Sequence, residues 1–311
     1  MHIPDGFLDT KTAATAALLS TAAIGVALRS VKRALPPAKV PLMGLTAAFV
    51  FAAQMLNFPV AAGTSGHLMG AVLAAVLLGP GAAVLVMTCV LVVQCLLFAD
   101  GGLSALGANV LNMAVIGSLT GYAVFAVVRR FVKGDRGRLV ATAFAAWCST
   151  VVASIACAGE LAWSGTVSWS AAFPAMANVH MIIGLAEGLI TTLVIAAIAH
   201  ARPGLLDSEL TPEPWSTRVM YGAIVLLGVL IFISPFASQW PDGLEKVAAS
   251  LGFEQKAVEA PAMPTTFSNY KFPGLGSAAA ATALAGAVGT IVVFFLSLVL
   301  ARLILPKSEI H

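Results

Sequence analysis

The chain has 311 residues, of which 59% are hydrophobic and 10% charged, with a formal net charge of +3. Soluble domains carry roughly a quarter of charged residues, so this chain cannot clothe a globular surface of its own size, and a soluble enzyme is excluded first. Its apolar residues run in long unbroken blocks, which excludes low-complexity disorder and coiled coils, and so small and scattered a charge gives no argument for nucleic acid.

A bilayer core about 30 Å thick takes about 20 apolar residues in a helix. Segments 12–28, 41–56, 67–79, 81–98, 104–128, 139–160, 174–199, 219–236 and 277–304 approach or meet that length. The expected fold is therefore an all-α integral membrane protein with about nine transmembrane helices. The third segment is short and parted from the fourth only by Gly79-Pro80-Gly81, which predicts a tight hairpin with one arm tilted or partly re-entrant.

The opening Met1-His2-Ile3-Pro4-Asp5-Gly6 lacks the basic residues of a signal's first region, so the mature chain is expected to begin at Met1 or just after it. Cytoplasmic loops collect Lys and Arg. With the N-terminus outside, every Lys and Arg except Lys11, Lys246, Lys256 and Lys271 falls on the cytoplasmic side. A multi-pass protein of a prokaryotic inner membrane is expected, N-terminus extracytoplasmic and C-terminus cytoplasmic. Residues 1–11, 57–66 and 99–102 then share the outer side.

Residues 201–217, with Pro203, Pro212 and Pro214, read as a cytoplasmic linker. It divides a seven-helix core, 1–200, from a two-helix hairpin, 218–311, whose outer domain is 237–276. In that domain Asp242 and Glu245 match a capping box. Leu244, Val247, Ala248 and Leu251 share one helical face, and Gly252 stops the helix. The four cysteines, Cys89, Cys95, Cys148 and Cys157, lie inside apolar runs and read as small core residues.

No GxxxxGK[ST] loop is present to cradle nucleotide phosphates, nor an HExxH or GxSxG motif. The chain is expected to be a transporter subunit and not an enzyme, without a prosthetic group, any ATP hydrolysis residing elsewhere.

Among five histidines, His2 and His67 both fall on the outer side. The α-amine of Met1, the backbone nitrogen of His2 and its Nδ1 can close two chelate rings around one ion, and His67 can complete a square of nitrogens. Such a square suits nickel(II) and copper(II), whereas zinc prefers a tetrahedron and calcium or magnesium prefer oxygen. The plainer alternative is that each histidine is a hydrogen-bonded structural residue. Asn57, Thr64, Ser65 and Asp5 are candidates to orient the imidazoles. His180 and Glu187, seven residues apart on one helical face, form an intramembrane polar pair; a structural network and a transport role are both open for them.

On the segments Met1-His2-Ile3-Pro4-Asp5-Gly6-Phe7, Gly63-Thr64-Ser65-Gly66-His67-Leu68-Met69-Gly70 and His180 to Gly188, the chain resembles the substrate-binding membrane component of nickel and cobalt energy-coupling-factor transporters. Residues 218–305, with Pro241-Asp242-Gly243-Leu244-Glu245, resemble its fused accessory component. The resemblance implies metal ligands at Met1, His2 and His67, a transmembrane coupling subunit and a pair of cytoplasmic ATPase subunits as partners, and a component that topples in the bilayer to turn its loaded site inward. The His-Ile-Pro-Asp-Gly start is more like the nickel branch. Cobalt(II), as a supply for cobalamin synthesis, is the alternative within the family, and a stand-alone secondary metal transporter the alternative outside it. A secondary transporter would place acidic and histidine residues at mid-bilayer in several spans, where this chain has only His180 and Glu187.

Overall fold

A computed structural model describes residues 1–61, 63–206, 226–258 and 265–305. Its helices, in chain order, are α1 (Thr10–Ala34), α2 (Val40–Gln54), α3 (Ala71–Leu78), α4 (Pro80–Phe98), α5 (Leu106–Phe131), α6 (Gly134–Trp163), α7 (Trp169–Ala201), α8 (Leu226–Phe236), α9 (Gly243–Leu251) and α10 (Ala278–Ile304). Among the described residues six are long and apolar enough to cross a membrane: α1, α4, α5, α6, α7 and α10. The other three predicted segments, 41–56, 67–79 and 219–236, are shorter helices or only partly described.

The predicted third span, 67–79, is a helix of 8 residues, about 12 Å long at 1.5 Å per residue, which cannot span a bilayer. It starts at the left-handed Gly70 and ends at Gly79, after which Pro80 opens α4 at the position where its missing N–H is harmless. All of α3 except Val76 is buried, and α2, with 15 residues, is buried along most of its length. Both are apolar all round because protein surrounds them. The eighth predicted span, 219–236, is described only from 226 onward; residues 207–217 of the linker, and 259–264 of the outer domain, lie outside the described residues.

A second departure is a two-stranded antiparallel ribbon, β1 (Phe58–Ala61) with β2 (Thr64–Gly66), where an all-α chain was expected. Leu56-Asn57-Phe58-Pro59-Val60 interrupts the helical pattern, and Pro59 and Gly63 favour an edge and a turn. The ribbon delivers His67 to the end of the bundle that holds the chain's first residues.

Long apolar side chains stay exposed along the spans, among them Leu18 and Leu19 on α1, Leu185, Leu189 and Leu193 on α7, and Ile291, Phe295 and Leu303 on α10. Apolar bands of this extent belong against lipid. The helix α10 packs on α2 and α4, and α6 pairs with α7, so the C-terminal helix docks on the core. Cys89, Cys95 and Cys157 are buried, Cys148 is half-buried, and all four are free thiols.

Within α5, Val110–Ile116 winds as a π-helix. Its buried Asn109 and Asn112 face inward from an otherwise apolar span. In α9 the predicted capping box is present: Asp242 accepts from the Glu245 backbone N–H and Glu245 from that of Asp242, each at 2.9 Å. Leu244, Val247 and Ala248 are buried, and left-handed Gly252 ends the helix. Leu251 departs from the predicted face and is exposed, because it sits in the last turn beyond the contact with α7 and β2.

Candidate metal site

The chain's first residues do not trail into solvent. Met1, Ile3 and Phe7 are buried. Asn109 clasps the backbone of Ile3 from both sides: its Oδ1 accepts from the Ile3 N–H at 2.7 Å and its Nδ2 donates to the Ile3 carbonyl at 3.1 Å. The Gly102 N–H donates to the same carbonyl at 2.9 Å. Gly6 turns the segment with φ +94°, and a Cβ there would lie 2.1 Å from the Lys256 carbonyl oxygen, so only glycine fits.

This anchoring brings the predicted nitrogens together. The Met1 amine lies 3.1 Å from Nε2 of His67, and the rings of His2 and His67 are 5.4 Å apart between centroids. Nδ1 of His67 donates to its neighbour Leu68's carbonyl at 3.1 Å, an arrangement that leaves Nε2 with a lone pair facing the amine. Among the described residues no three His, Cys, Asp or Glu side chains form a metal-holding group. Beside the two imidazoles, the nitrogens at hand are those of the Met1 amine and the backbone.

Two carboxylates adjoin these nitrogens. Asp242 pairs with the Met1 amine at 2.5 Å, and Asp100 faces His2 Nδ1 at 3.7 Å. Burial pushes the His67 imidazole down to about 3, helped by the Met1 amine and His2. Burial likewise lowers His2, against the opposing pull of Asp100. Both imidazoles are thus neutral at pH 7 and ready to donate a lone pair. Burial raises Asp242, but the charge and hydrogen bond of the amine outweigh it and hold its carboxyl below the usual carboxylate range.

Met1, His67, His180, Asp242, Met113 and Thr150 line a cavity of about 20 Å³. His180 is fixed by its Nδ1 on the Met176 carbonyl at 2.8 Å, and its ring lies so close to Gly243 that a Cβ there would approach Nε2 to 2.8 Å. The glycine of the outer helix is what lets α9 settle on α7. Glu187 is turned elsewhere: its carboxylate accepts from the backbone N–H groups of Met69 at 2.6 Å and Gly70 at 2.9 Å, pinning the loop that follows His67.

The four residues expected to orient the imidazoles do other work in their hydrogen bonds. Asp5 accepts from the backbone of Leu103 and Ser104 and from the Ser104 hydroxyl. The Ser65 hydroxyl donates to the Trp240 carbonyl at 2.6 Å, and Asn57's carbonyl accepts from the Ser238 N–H at 2.7 Å. Thr64 pairs in the ribbon. These bonds dock the N-terminal segment and the accessory module onto the core. Asn109, Asp100 and Asp242 contact Ile3, His2 and Met1 directly. The signal for Asn109 was an amide, one of two with Asn112, in an otherwise apolar span.

A family profile described as the cobalt uptake substrate-specific transmembrane region matches residues 2–205, and a PDGLE domain profile matches residues 216–305. A protein of Archaeoglobus fulgidus, provisionally named a fused nickel transport protein, is 38% identical over 304 residues, covering 97% of this chain and 98% of its own length. A cobalt transport protein of Sorangium cellulosum is 35% identical over 217 residues, 67% of this chain and 95% of its own. A crystal structure described as a truncated transition metal transporter superposes with a TM-score of 0.59 at 32% identity, covering 65% of this chain and 99% of that one.

Proposed function

The chain belongs to the cobalt uptake substrate-specific transmembrane family, with a PDGLE domain joined behind it, and from that premise we propose that it captures nickel(II) at the outer face of the membrane for an ATP-driven transporter. The ligands are the Met1 amine, the His2 amide and imidazole nitrogens, and His67. The observation that carries this reading is the 3.1 Å approach of the Met1 amine to Nε2 of His67, residues 66 apart in sequence.

Loading requires nitrogens with free lone pairs. The two imidazoles meet that condition as they stand. The amine has to give up a proton and its contact with Asp242, and the His2 amide its N–H, as the ion arrives. A coupling subunit and separate ATPase subunits supply the driving force, since no phosphate-cradling loop exists in this sequence. The modules are a metal-binding core, 1–200, a linker, 201–217, and an accessory module, 218–311, whose outer segment closes over the N-terminus. The N-terminus faces outward.

Cobalt(II) is the second reading, favoured by the family description and by the relative named for cobalt. A plane of four nitrogens, one of them a deprotonated amide, favours nickel over it.

The test is a chain extended by one residue before Met1, or one that keeps its formyl group. Nickel binding measured by equilibrium titration is expected to be lost with the thermal transition unchanged. Unchanged affinity would remove the amine from the site.

A further inference from the structure

We propose that Tyr270, in the accessory module, is a positioning residue of the metal site: it holds Asp100 so that one carboxylate oxygen stays turned to the His2 imidazole. The inference rests on the reading above that His2 is a ligand.

The Tyr270 hydroxyl donates to Oδ2 of Asp100 at 2.5 Å, while Oδ1 of the same carboxylate lies 3.7 Å from His2 Nδ1. Among the described residues this is the one hydrogen bond that the Asp100 carboxylate accepts, and its side chain is 27% exposed. Without the hydroxyl it is free to swing into water. The tyrosine ring itself is fixed, stacked on Phe98 with centroids 4.8 Å apart and flanked by Phe51 at 6.3 Å.

The backbone supports the same point. Asn269 and Tyr270 adopt φ of +53° and +56° in succession, a conformation unfavourable for any residue with a Cβ. Strain of this kind persists where surrounding contacts over-determine it, and here those contacts are the aromatic stack and the bond to Asp100.

Electrostatics gives the arrangement its purpose. A dication bound through a deprotonated amide keeps a net positive charge, and burying it is costly unless an anion stands close by. Asp100 supplies such an anion on the His2 side, as Asp242 does on the side of the Met1 amine, and Tyr270 fixes its direction. A group of this kind beside a metal ligand typically contributes about 10-fold or more in affinity.

The experiment is nickel titration of the full chain carrying Tyr270→Phe, Asp100→Asn, or both, with His67→Ala as control, and NMR of the His2 imidazole nitrogens. Phenylalanine keeps the stack on Phe98. Affinity is expected to fall about 10-fold in each single variant, with no further loss in the double, because the tyrosine acts through the aspartate. The His2 resonances should shift in Tyr270→Phe before any nickel is added. Parent affinity in Tyr270→Phe, or losses that add, would overturn the proposal. Should the Phe variant lose its thermal transition, Asp100→Asn decides alone: parent affinity there overturns it. Unaltered binding in His67→Ala would instead sink the assignment of the site, and with it this inference.

Discussion

Asp242 sets a carboxylate oxygen 2.5 Å from the α-amine of Met1, joining the accessory module to the first atom of the chain. Both side chains are largely withdrawn from water, at 7% and 14% exposure. The contact ties two functions together, since the same carboxylate caps α9. Whatever moves the outer helix also changes what the amine can bind.

Replacing Asp242 with Asn separates these roles, because Asn is an equally good helix cap but carries no charge. A charge-assisted hydrogen bond of this kind contributes about 1.5–3 kcal/mol. Acylation of the Met1 amine by an amine-reactive reagent is expected to run about 10–100-fold faster in Asp242→Asn. An unchanged rate would show that the ion pair does not protect the terminus.

Asn109→Ala removes both bonds to the Ile3 backbone and leaves a buried N–H and a carbonyl less satisfied, at about 1–3 kcal/mol for each lost partner. Nickel affinity is expected to fall at least about 10-fold with the spans intact. Titration and a helicity measurement together check it; loss of helicity would move the effect from the site to the fold.

Glu187→Ala strips the acceptor from the Met69 and Gly70 N–H groups, both next to the segment that carries His67. Glu187→Gln retains one amide oxygen. The melting temperature and nickel affinity are expected to fall in the order parent, Gln, Ala. Equal behaviour of all three would make Glu187 a bystander to the loop.

Acid should loosen the outer end. His67 is held down to about 3 by burial, whereas in an opened chain it titrates near 6.5. Between those values the opened form binds a proton that the closed form excludes, so closure is fully favourable above about pH 6.5 and weakens as pH falls. Asp242, held below the usual carboxylate range, adds a loss in the same direction once pH drops below about 4. Hydrogen exchange in 243–258, corrected for intrinsic rates, should rise between about pH 7 and 5. His67→Gln should flatten that slope over the same interval.

Much of the candidate site was legible because its residues interrupt apolar sequence. Met1, His2 and His67 lie in short polar segments between hydrophobic blocks, and the capping box of Asp242 and Glu245 is a local pattern that needs no partner. What escaped the sequence depends on long-range contact. Asp100 and Tyr270 are 170 residues apart, and no periodicity links them. Asp5, Ser65 and Asn57 flank the histidines in sequence, and their hydrogen bonds to Ser104, Trp240 and Ser238 are long-range contacts that no local pattern announces. The segment 67–79 read as a span because apolar composition alone does not distinguish a helix facing lipid from one sheathed in protein.

The π-helical turn of α5, Val110–Ile116, has a consequence for that anchored terminus. A wide turn accommodates one residue more than regular winding would. Deleting a single residue from a regular turn of α5, where no wide turn absorbs the change, would swing everything upstream by about 100°, carrying Asn109 away from Ile3. Every nitrogen donor would survive such a deletion unaltered, while the scaffold presenting them would be lost. The placement of Asn109, and with it of the chain's first residues, is therefore set by the winding of one membrane helix, remote in kind from the atoms proposed to touch the cargo.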